Sequence, residues 1–480
     1  MQGRPNKQKD FFDMVVYERL IPKEHLLVKI IHKIDFSFID EETKELYSQR
    51  GRGSYPASLL FKMLFLEFLY NLSDVEVSRQ CQYNLLFRYF VGLKINEDSP
   101  DDTTLVVFRK RLGETKFKEI FNKIIKIAED KGITIGKTKV ADATQIIADI
   151  AIPNTIGLLR QGKRIIINKI EKKDKTKASF LREKYTSKGT IKQYKKEELR
   201  EEIENTKQFI KEIESLKEEY PIEKELSLLK DTIEGRVNLV SFIDPEARCG
   251  YKEKEERFFG YKAHILEDTK TQLITSIEVF SGNTNEGSKL KELIEKERRN
   301  NLKTTKIIAD ALYDSIDNRK FCFKAGIEAY IPSRRKAKTL DKFSYSSQAD
   351  TLICPKGRRS ISKIPQGEGF LYLFSQKDCK RCSQKDLCPT TSEDRARVYI
   401  SKSEILRRKI KPAKYKQFIK LRYLIERKFA EAKKWHSLFR TRYRTLKKVT
   451  IQVLMTFIVM NIKRIIKLID EKRLKRLRYA

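Results

Sequence analysis

Four separated stretches of this chain carry strand texture, and two of them set an acidic residue among apolar neighbours. KTKVADATQIIADI (137–150) alternates in the manner of a strand, with Asp142 at its middle. FGYKAHILED (259–268) and TQLITSIEVFSG (271–282) follow as a close pair. TTKIIADALYDS (304–315) is an apolar strand ending at Asp310, and IEAYIPSRR (327–335) adds one more. Helical patterns fall at about 286–298 and from Ser315. The order is therefore strand, insertion, strand, strand, helix, strand, helix, strand. Three consecutive strands followed by strand–helix alternation predict an α/β domain: a mixed sheet with helices on its faces.

The flanks read differently. Residues 1–130 form a helical N-terminal domain. ASLLFKMLFLEFLY (57–70) is too short and too charged for a membrane span, so it reads as a buried helix. Ser73 and Glu76 make a capping box for the next helix, and a further helix covers 84–90. Pro100, at a first helical position, opens DDTTLVVFRKRLG. Such short helices with basic edges suit either a DNA-contacting unit or a plain helical domain. The catalytic-type sheet region spans 131–338, interrupted at about 153–235 by a Lys/Glu-rich segment. There Ile203, Phe209, Ile210, Ile213 and Leu216 recur at helical spacing, Pro221 interrupts, and Leu226, Leu229 and Ile233 resume. This predicts an inserted helical hairpin, either a solvated spacer or an arm for DNA or a partner. Residues 339–395 are Cys-rich and poorly periodic. Residues 396–480 return to helices, one at about 413–436 and an apolar one at 449–469.

Charge narrows the partners. Lys plus Arg is 102 against 66 Asp plus Glu, and residues 401–480 alone hold 26 basic against 5 acidic side chains. A field so concentrated attracts a polyanion, of which nucleic acid is the commonest. An anionic membrane surface is the rival, but Gln452, Asn461, Lys463 and Arg464 argue against a span at 449–469. Seven cysteines are too few for a disulfide scaffold, and four cluster. Cys379-x2-Cys382 is a metal-knuckle spacing that Cys354 and Cys388 complete to four thiolates, the set structural Zn²⁺ prefers. Reduced, unmetallated cysteines and an iron–sulfur site are the alternatives. The first residues, MQGRPNKQKDFFD, hold no apolar leader pattern, so a reducing cytoplasm is expected.

An acidic side chain beside a sheet core is costly unless it is paired, hydrogen-bonded or bound to metal. Asp142 and Asp310 invite a third carboxylate, and Glu426 is the best candidate. In KLRYLIERKFAEAKKWHSLFR, Arg422, Glu426 and Lys433 fall on one helical stripe. An ordinary amphipathic helix with internal ion pairs would look the same.

Taken together, these motifs resemble bacterial insertion-sequence transposases with an Asp–Asp–Glu triad on a ribonuclease-H-like catalytic domain. VADAT is similar to their first acidic segment, and Asp310-Ala311-Leu312-Tyr313 to their second. Arg422, Glu426 and Lys433 match their helical signature. The aromatic residue expected three positions before the arginine is missing: Ile419 stands there, with Phe418 and Tyr415 nearby. GRGSYPASLLFKMLFLEFLYNLSDVEVSRQ and SPDDTTLVVFRKRL resemble the helical N-terminal domain of the family. DPEARCG, GYKAHILED and RTRYRTLKKVTIQVLMTFIVMNIKRI resemble later segments in the expected order, and CKRCSQKDLC its cysteine-bearing insertion.

The resemblance implies metal-dependent cleavage at transposon ends and transfer of the released 3′-OH into target DNA. It implies two Mg²⁺ or Mn²⁺ ions, with Asp142 bridging them, Asp310 holding one and Glu426 the other. Arg422, Lys433 and Lys434 would face phosphates, and Trp435 either stacks on an unpaired base or packs in the core or at an interface. Double-stranded DNA, both transposon ends and target, is the expected partner. A homodimer or higher oligomer on DNA, no membrane, and a bacterial cytoplasm at the nucleoid complete the expectation. Two rivals share parts of it: a domesticated metal-dependent nuclease that cuts without joining, and a non-enzymatic zinc-containing nucleic-acid-binding protein.

Overall fold

The computed structural model describes residues 1–3, 11–48, 50–51, 53–150, 155–186, 196–234, 241–251, 256–333, 342–385, 388, 391–392, 395–408, 410 and 412–478. Its centre is a sheet of six strands: β1 (Thr138–Ile147), β2 (Arg248–Tyr251), β3 (Arg257–Asp268), β4 (Ile274–Ser281), β5 (Lys306–Ala309) and β6 (Glu328–Tyr330). Across the sheet the order is β4–β3–β1–β5–β6, and β2 extends the β4 edge beyond the end of that strand. β3 runs antiparallel to both β4 and β1, whereas β1, β5 and β6 run parallel. Three antiparallel strands continued by two parallel ones, with crossover helices between the latter, is the ribonuclease-H-like arrangement. The tight meeting of β1 with β3 requires Gly260: a β-carbon there would stand 2.0 Å from the Ile146 carbonyl oxygen.

Alternation along the strands gives the sheet two apolar faces. Val140, Ile146, Ala263, Ile265 and Ile308 enter a large core shared with the N-terminal helices. Ala141, Leu266, Ile307 and Ala309 face the helices Leu290–Arg299 and Ile316–Lys324. The N-terminal helices thus pack on the sheet region through one continuous core. Ala57–Tyr70 is buried along almost its whole length, and Ser73 and Glu76 form the reciprocal capping box. The helix Asp102–Asp130 starts later than its proline suggests. Asp101 caps it by accepting from the Thr104 amide, so Pro100 lies outside. Gly113 breaks it with φ +63°.

The chain closes with a helix at Leu446–Arg478, called here the closing helix. Its stretch Leu446–Lys472 is long and apolar enough to cross a membrane, yet the most apolar 18 residues within it are 89 % buried inside the protein. Val453, Leu454, Phe457, Ile458 and Ile462 fill the shared core, each contributing roughly 1.5–3 kcal/mol by burial. Its polar residues serve the backbone of other elements. Asn461 accepts from the Ile274 amide and donates to the same residue's carbonyl, both at 2.9 Å. Asp244 and Glu246, in the DPEARCG segment, cap the start by accepting from the amides of Thr445 and Leu446.

Two insertions stand on smaller cores. Between β1 and β2 lie four helices, Thr155–Glu171, Lys175–Tyr185, Lys196–Ile213 and Glu223–Ile233, packed around Leu159, Ile166, Phe209, Ile213 and Leu229. This is a bundle where the sequence pattern suggested only a hairpin. The first two helices escaped notice because lysines interrupt their apolar stripe. The Cys-rich segment holds a small sheet, Ser362–Gln366, Gly369–Leu373, Thr391–Ser392 and Arg395–Ser401, around Phe343, Leu352, Tyr372 and Val398. Strands so short leave little period to read, which is why the segment looked patternless.

Candidate active site

Sheet register builds the first half of the site. β5 runs parallel to β1 with Ala309 opposite Ala141, so the next residue on each strand, Asp310 and Asp142, stands side by side. Alternation puts both on the face that carries Val140 and Ile308, toward the large core. Asp310 ends its strand and caps the turn Ala311–Tyr313 through the Ala311 amide, at 2.6 Å. That turn is pinned from outside. Asn318 donates to the carbonyls of Tyr313 and Gly287, and a β-carbon on Gly287 would meet the Leu312 oxygen at 2.7 Å. Tyr313 is fully buried behind the acids, with its hydroxyl 3.3 Å from His264 Nδ1.

The second half comes from the other end of the chain. The helical stretch expected at 413–436 is broken into Pro412–Ile419, a 3-10 turn Lys420–Arg422, and the helix Tyr423–Trp435, called here the glutamate helix. Ile425, Phe429 and Ala432 bury its inner face against the sheet core. That packing brings Arg422 between two acids: it lies 3.3 Å from Asp310 Oδ1 and 3.6 Å from Glu426 Oε1. Glu426 itself is 60 % exposed and free to swing. Near the missing aromatic position, aromatic side chains pack against the sheet edge. Phe418 packs on Tyr330 of β6 at 4.6 Å between ring centroids, with Tyr415 beside it.

Electrostatics bear out the crowding. Burial pushes the Asp142 carboxyl up to about 7; the Ala143 amide and Arg422 pull it down, while Asp310 and Glu286 push it further up. Glu286 was not singled out from sequence. It sits in a short turn after β4, paired with Lys262 at 2.8 Å, and only folding brings it near Asp142. Beneath the glutamate helix, Glu267 is fully buried with no hydrogen-bond partner, and burial raises it to about 7 against the pull of Lys428 and Arg464.

The remaining basic candidates lie farther along the same helix. Lys433 is half-buried, whereas Lys434 is exposed and stands 4.8 Å over the ring of Trp435. Trp435 is 58 % exposed and so is not a core residue. His436 is buried and belongs to the scaffold: its Nδ1 lies 3.0 Å from the Phe68 carbonyl and its Nε2 3.0 Å from Lys463.

Cys354, Cys379, Cys382 and Cys388 all line one cavity of about 520 Å³. Burial raises the Cys379 thiol, the Ala396 amide lowers it, and the other three cysteines raise it further. Lys377, Arg381 and Lys385 stand at the rim. Four thiols lining one hollow are donors of the kind a thiophilic ion takes, and carboxylates are those of a hard one. As the side chains stand, no three His, Cys, Asp or Glu residues among the described residues are drawn tightly enough to hold a metal ion. Cys81 and Cys322 are buried apart from the cluster, and Cys249 is half-buried.

Comparison with known proteins places these features in a family. Residues 15–111 match the family described as "Transposase domain (DUF772)", and residues 233–462 match "Transposase DDE domain". The uncharacterised protein ORF8 in the nfe locus of Rhizobium meliloti is 24 % identical over 132 residues, which is 27 % of this chain and 64 % of that protein. Among solved structures, the piggyBac transposase synaptic complex with hairpin DNA overlaps 96 % of this chain and 80 % of its own, at 10 % identity and a TM-score of 0.29. That likeness is too slight to argue from. With a transposase domain at its start, a DDE domain over its second half and a ribonuclease-H-like sheet between its acids, the chain belongs to the DDE transposases of the insertion-sequence type.

Proposed function

We propose that this protein is a DNA transposase that cuts at the ends of its element and joins the freed 3′-OH to target DNA. The observation that supports the reading is that Asp142 and Asp310 follow paired residues on neighbouring strands, with Arg422 reaching Asp310 from the helix that carries Glu426. Each acid taken alone has an ordinary explanation; a shared guanidinium between strand-end and helical carboxylates has few. In this reading the three carboxylates hold two Mg²⁺ or Mn²⁺ ions. When bound, such ions supply the positive charge that phosphodiester cleavage needs at the attacking and leaving oxygens.

The chain's own residues prepare that site. Burial raises the Asp142 carboxyl to about 7 against the pull of the Ala143 amide and Arg422, and a cation entering the site would favour its charged form. Arg422 keeps Asp310 and Glu426 from repelling each other until then. Lys433 and Lys434 run down the glutamate helix as phosphate contacts, and exposed Trp435 offers a face for an unpaired base. The helical N-terminal residues 1–130 are taken to contact the transposon end. The four cysteines are taken to hold one structural Zn²⁺, which would close the segment 339–395 and present Lys377, Lys380, Arg381 and Lys385 to DNA. The protein would work as a homodimer or larger assembly on paired DNA ends, in the bacterial cytoplasm at the nucleoid.

Incubation of the full chain with its native flanking repeats and Mg²⁺ or Mn²⁺ tests this directly. Cleavage at the repeat ends, followed by joining to a second duplex, is the expected outcome. Cleavage without joining would make it a nuclease. DNA binding without cleavage, unchanged in Asp142→Asn, would make it a non-enzymatic binder.

A further inference from the structure

Five cations stand among the nine residues Arg440–Lys448, and the fold uses them differently. Arg442 is turned inward. It donates to buried Glu67 at 2.8 Å and to Asn71 at 2.7 Å, locking the loop onto the N-terminal helices. Arg440 lies at the surface and pairs with exposed Asp149 at 3.0 Å. Arg444, Lys447 and Lys448 are exposed and make no ion pair among the described residues. Lys447 and Lys448 also sit in the first turn of the closing helix, which carries no acidic residue there. Positive charge at that end opposes the helix dipole. The carboxylates of Asp244 and Glu246 cap that end through the Thr445 and Leu446 amides, so the two lysines are left as exposed surface charge beside it.

The loop is also built as a site. The Thr441 amide donates to the Ile147 carbonyl at 2.8 Å, and Ile147 donates back to the Phe439 carbonyl at 3.1 Å, so the loop continues the sheet beside the far end of β1. Gln452 accepts from the Arg442 amide at 2.8 Å and donates to the carbonyls of Ser437 and Arg440. Between loop and strand opens a hollow of about 330 Å³ lined by Asp149, Thr441, Arg442, Tyr443, Arg444 and Lys448. Its place relative to the acids follows from β1. Asp142 and Ile147 are five residues apart on that strand, about 17 Å at 3.3 Å per residue. The glutamate helix spans the same interval, starting at the acids and ending where the loop pairs with Ile147. Arg422 therefore stands at the acids, and Arg440, Arg444 and Lys448 stand around the hollow beyond the far end of β1.

We propose that this hollow is a backbone-phosphate subsite for the DNA strand cut at Asp142 and Asp310. It engages that strand about five base pairs from the cut, the 17 Å span divided by 3.4 Å per base pair. The proposal rests on the reading of the protein as a DNA transposase. Arg444 offers a fork of N–H donors to two phosphate oxygens and Lys448 a point charge. Asp149 holds Arg440 in the free protein, and a phosphate would draw that guanidinium away.

The test is binding of the full chain to a duplex carrying its terminal repeat, measured by fluorescence anisotropy across a salt series. In Arg444→Ala/Lys448→Ala, the slope of log affinity against log salt should shrink by about 1.8, two phosphate contacts at about 0.9 each. Asp149→Asn should tighten binding a few-fold. An unchanged thermal midpoint in both variants shows that folding is intact. Neutral methylphosphonates placed about five base pairs from the cut should weaken wild-type binding and leave the double variant unaffected. Wild-type protein that binds the duplex with the same slope as the double variant would overturn the subsite alone. Methylphosphonates there that weaken both proteins equally would do the same. A wild type that binds no DNA would remove the transposase reading and this subsite together.

Discussion

The acid site and the cysteine site are both places where this chain gathers metal-loving side chains, but they are gathered by opposite means. Asp142, Asp310 and Glu426 come from distant segments, and a large apolar core sets their positions: the β1–β5 register aligns two of them, and the buried face of the glutamate helix delivers the third. The four cysteines come from one short segment around a core of a few aromatic and aliphatic side chains. In the first case the acids stand on a large scaffold, including a carboxyl that burial pushes to about 7. In the second, the cysteines pack against a small core of the same segment. Removing a ligand should therefore cost activity at one site and local structure at the other.

The largest effect belongs to the acids. Asp142→Asn and Glu426→Gln should each lower cleavage of a terminal-repeat substrate by at least about a thousand-fold, the upper scale of losing one preorganised electrostatic contact. Terminal-repeat binding should persist. Either variant cleaving at the wild-type rate would take its residue out of the site. Arg422→Ala should cost less, about a hundred-fold, because the carboxylates remain but the cation that spaces them is gone. A full rate in that variant would reduce Arg422 to a bystander.

Cys382→Ser puts the contrast to the other site. Elemental analysis should find about one zinc per chain in the wild type and none in the variant, because a three-thiolate set binds far more weakly. Limited proteolysis should then cut within 339–395 roughly ten-fold faster, while the unfolding midpoint of the large core moves little, since the two cores are separate clusters. Equal proteolysis rates with zinc retained would show that the small sheet stands without the knuckle.

How much of this could be read from the chain follows the same division. Asp142 and Asp310 were legible because each interrupts an apolar strand, an anomaly that period alone exposes. Strand order beyond that needed pairing, which no local pattern carries. Glu426 was legible only through its spacing from Arg422 and Lys433; the 3-10 turn at Lys420–Arg422, which presents Arg422 to both acids, has no sequence signature. Glu286 stayed hidden because its relation to Asp142 exists only through the turn packed on Leu312. The contacts that hold His436 in the scaffold, with Phe68 and Lys463, come from distant segments that its own neighbourhood does not announce. The apolar helix at 449–469 packs most of its length into the shared core. What Asn461 does, bridging the backbone of Ile274, could not be read from its own segment.

The smallest expected effect concerns stability, and it separates the two sites most cleanly. An acid whose folded value is raised binds its proton more tightly in the native state than in the unfolded one. For Asp142, ordinarily at 3.8 and raised to about 7, native and unfolded chains are equally protonated well below pH 4, so nothing is lost there. As pH climbs from about 4 to 7 the unfolded chain ionises first, and native stability falls. Above about pH 7 both are charged and the loss is complete. The full shift would correspond to about 4 kcal/mol; relaxation around a half-exposed Arg422 should leave on the order of 1–2 kcal/mol. Glu67 and Glu267, also raised by burial to about 7, add losses of the same sign in the same window, so the wild-type slope alone assigns nothing. The difference between wild type and Asp142→Asn does. Measured by chemical denaturation without divalent metal, the variant should match the wild type near pH 4 and exceed it by that margin at pH 7. Adding Mg²⁺ should narrow the gap by stabilising only the wild type. Parallel curves across the range would mean that Asp142 lies in a solvated environment, and the site would then lack the buried charge on which its contrast with the cysteines depends.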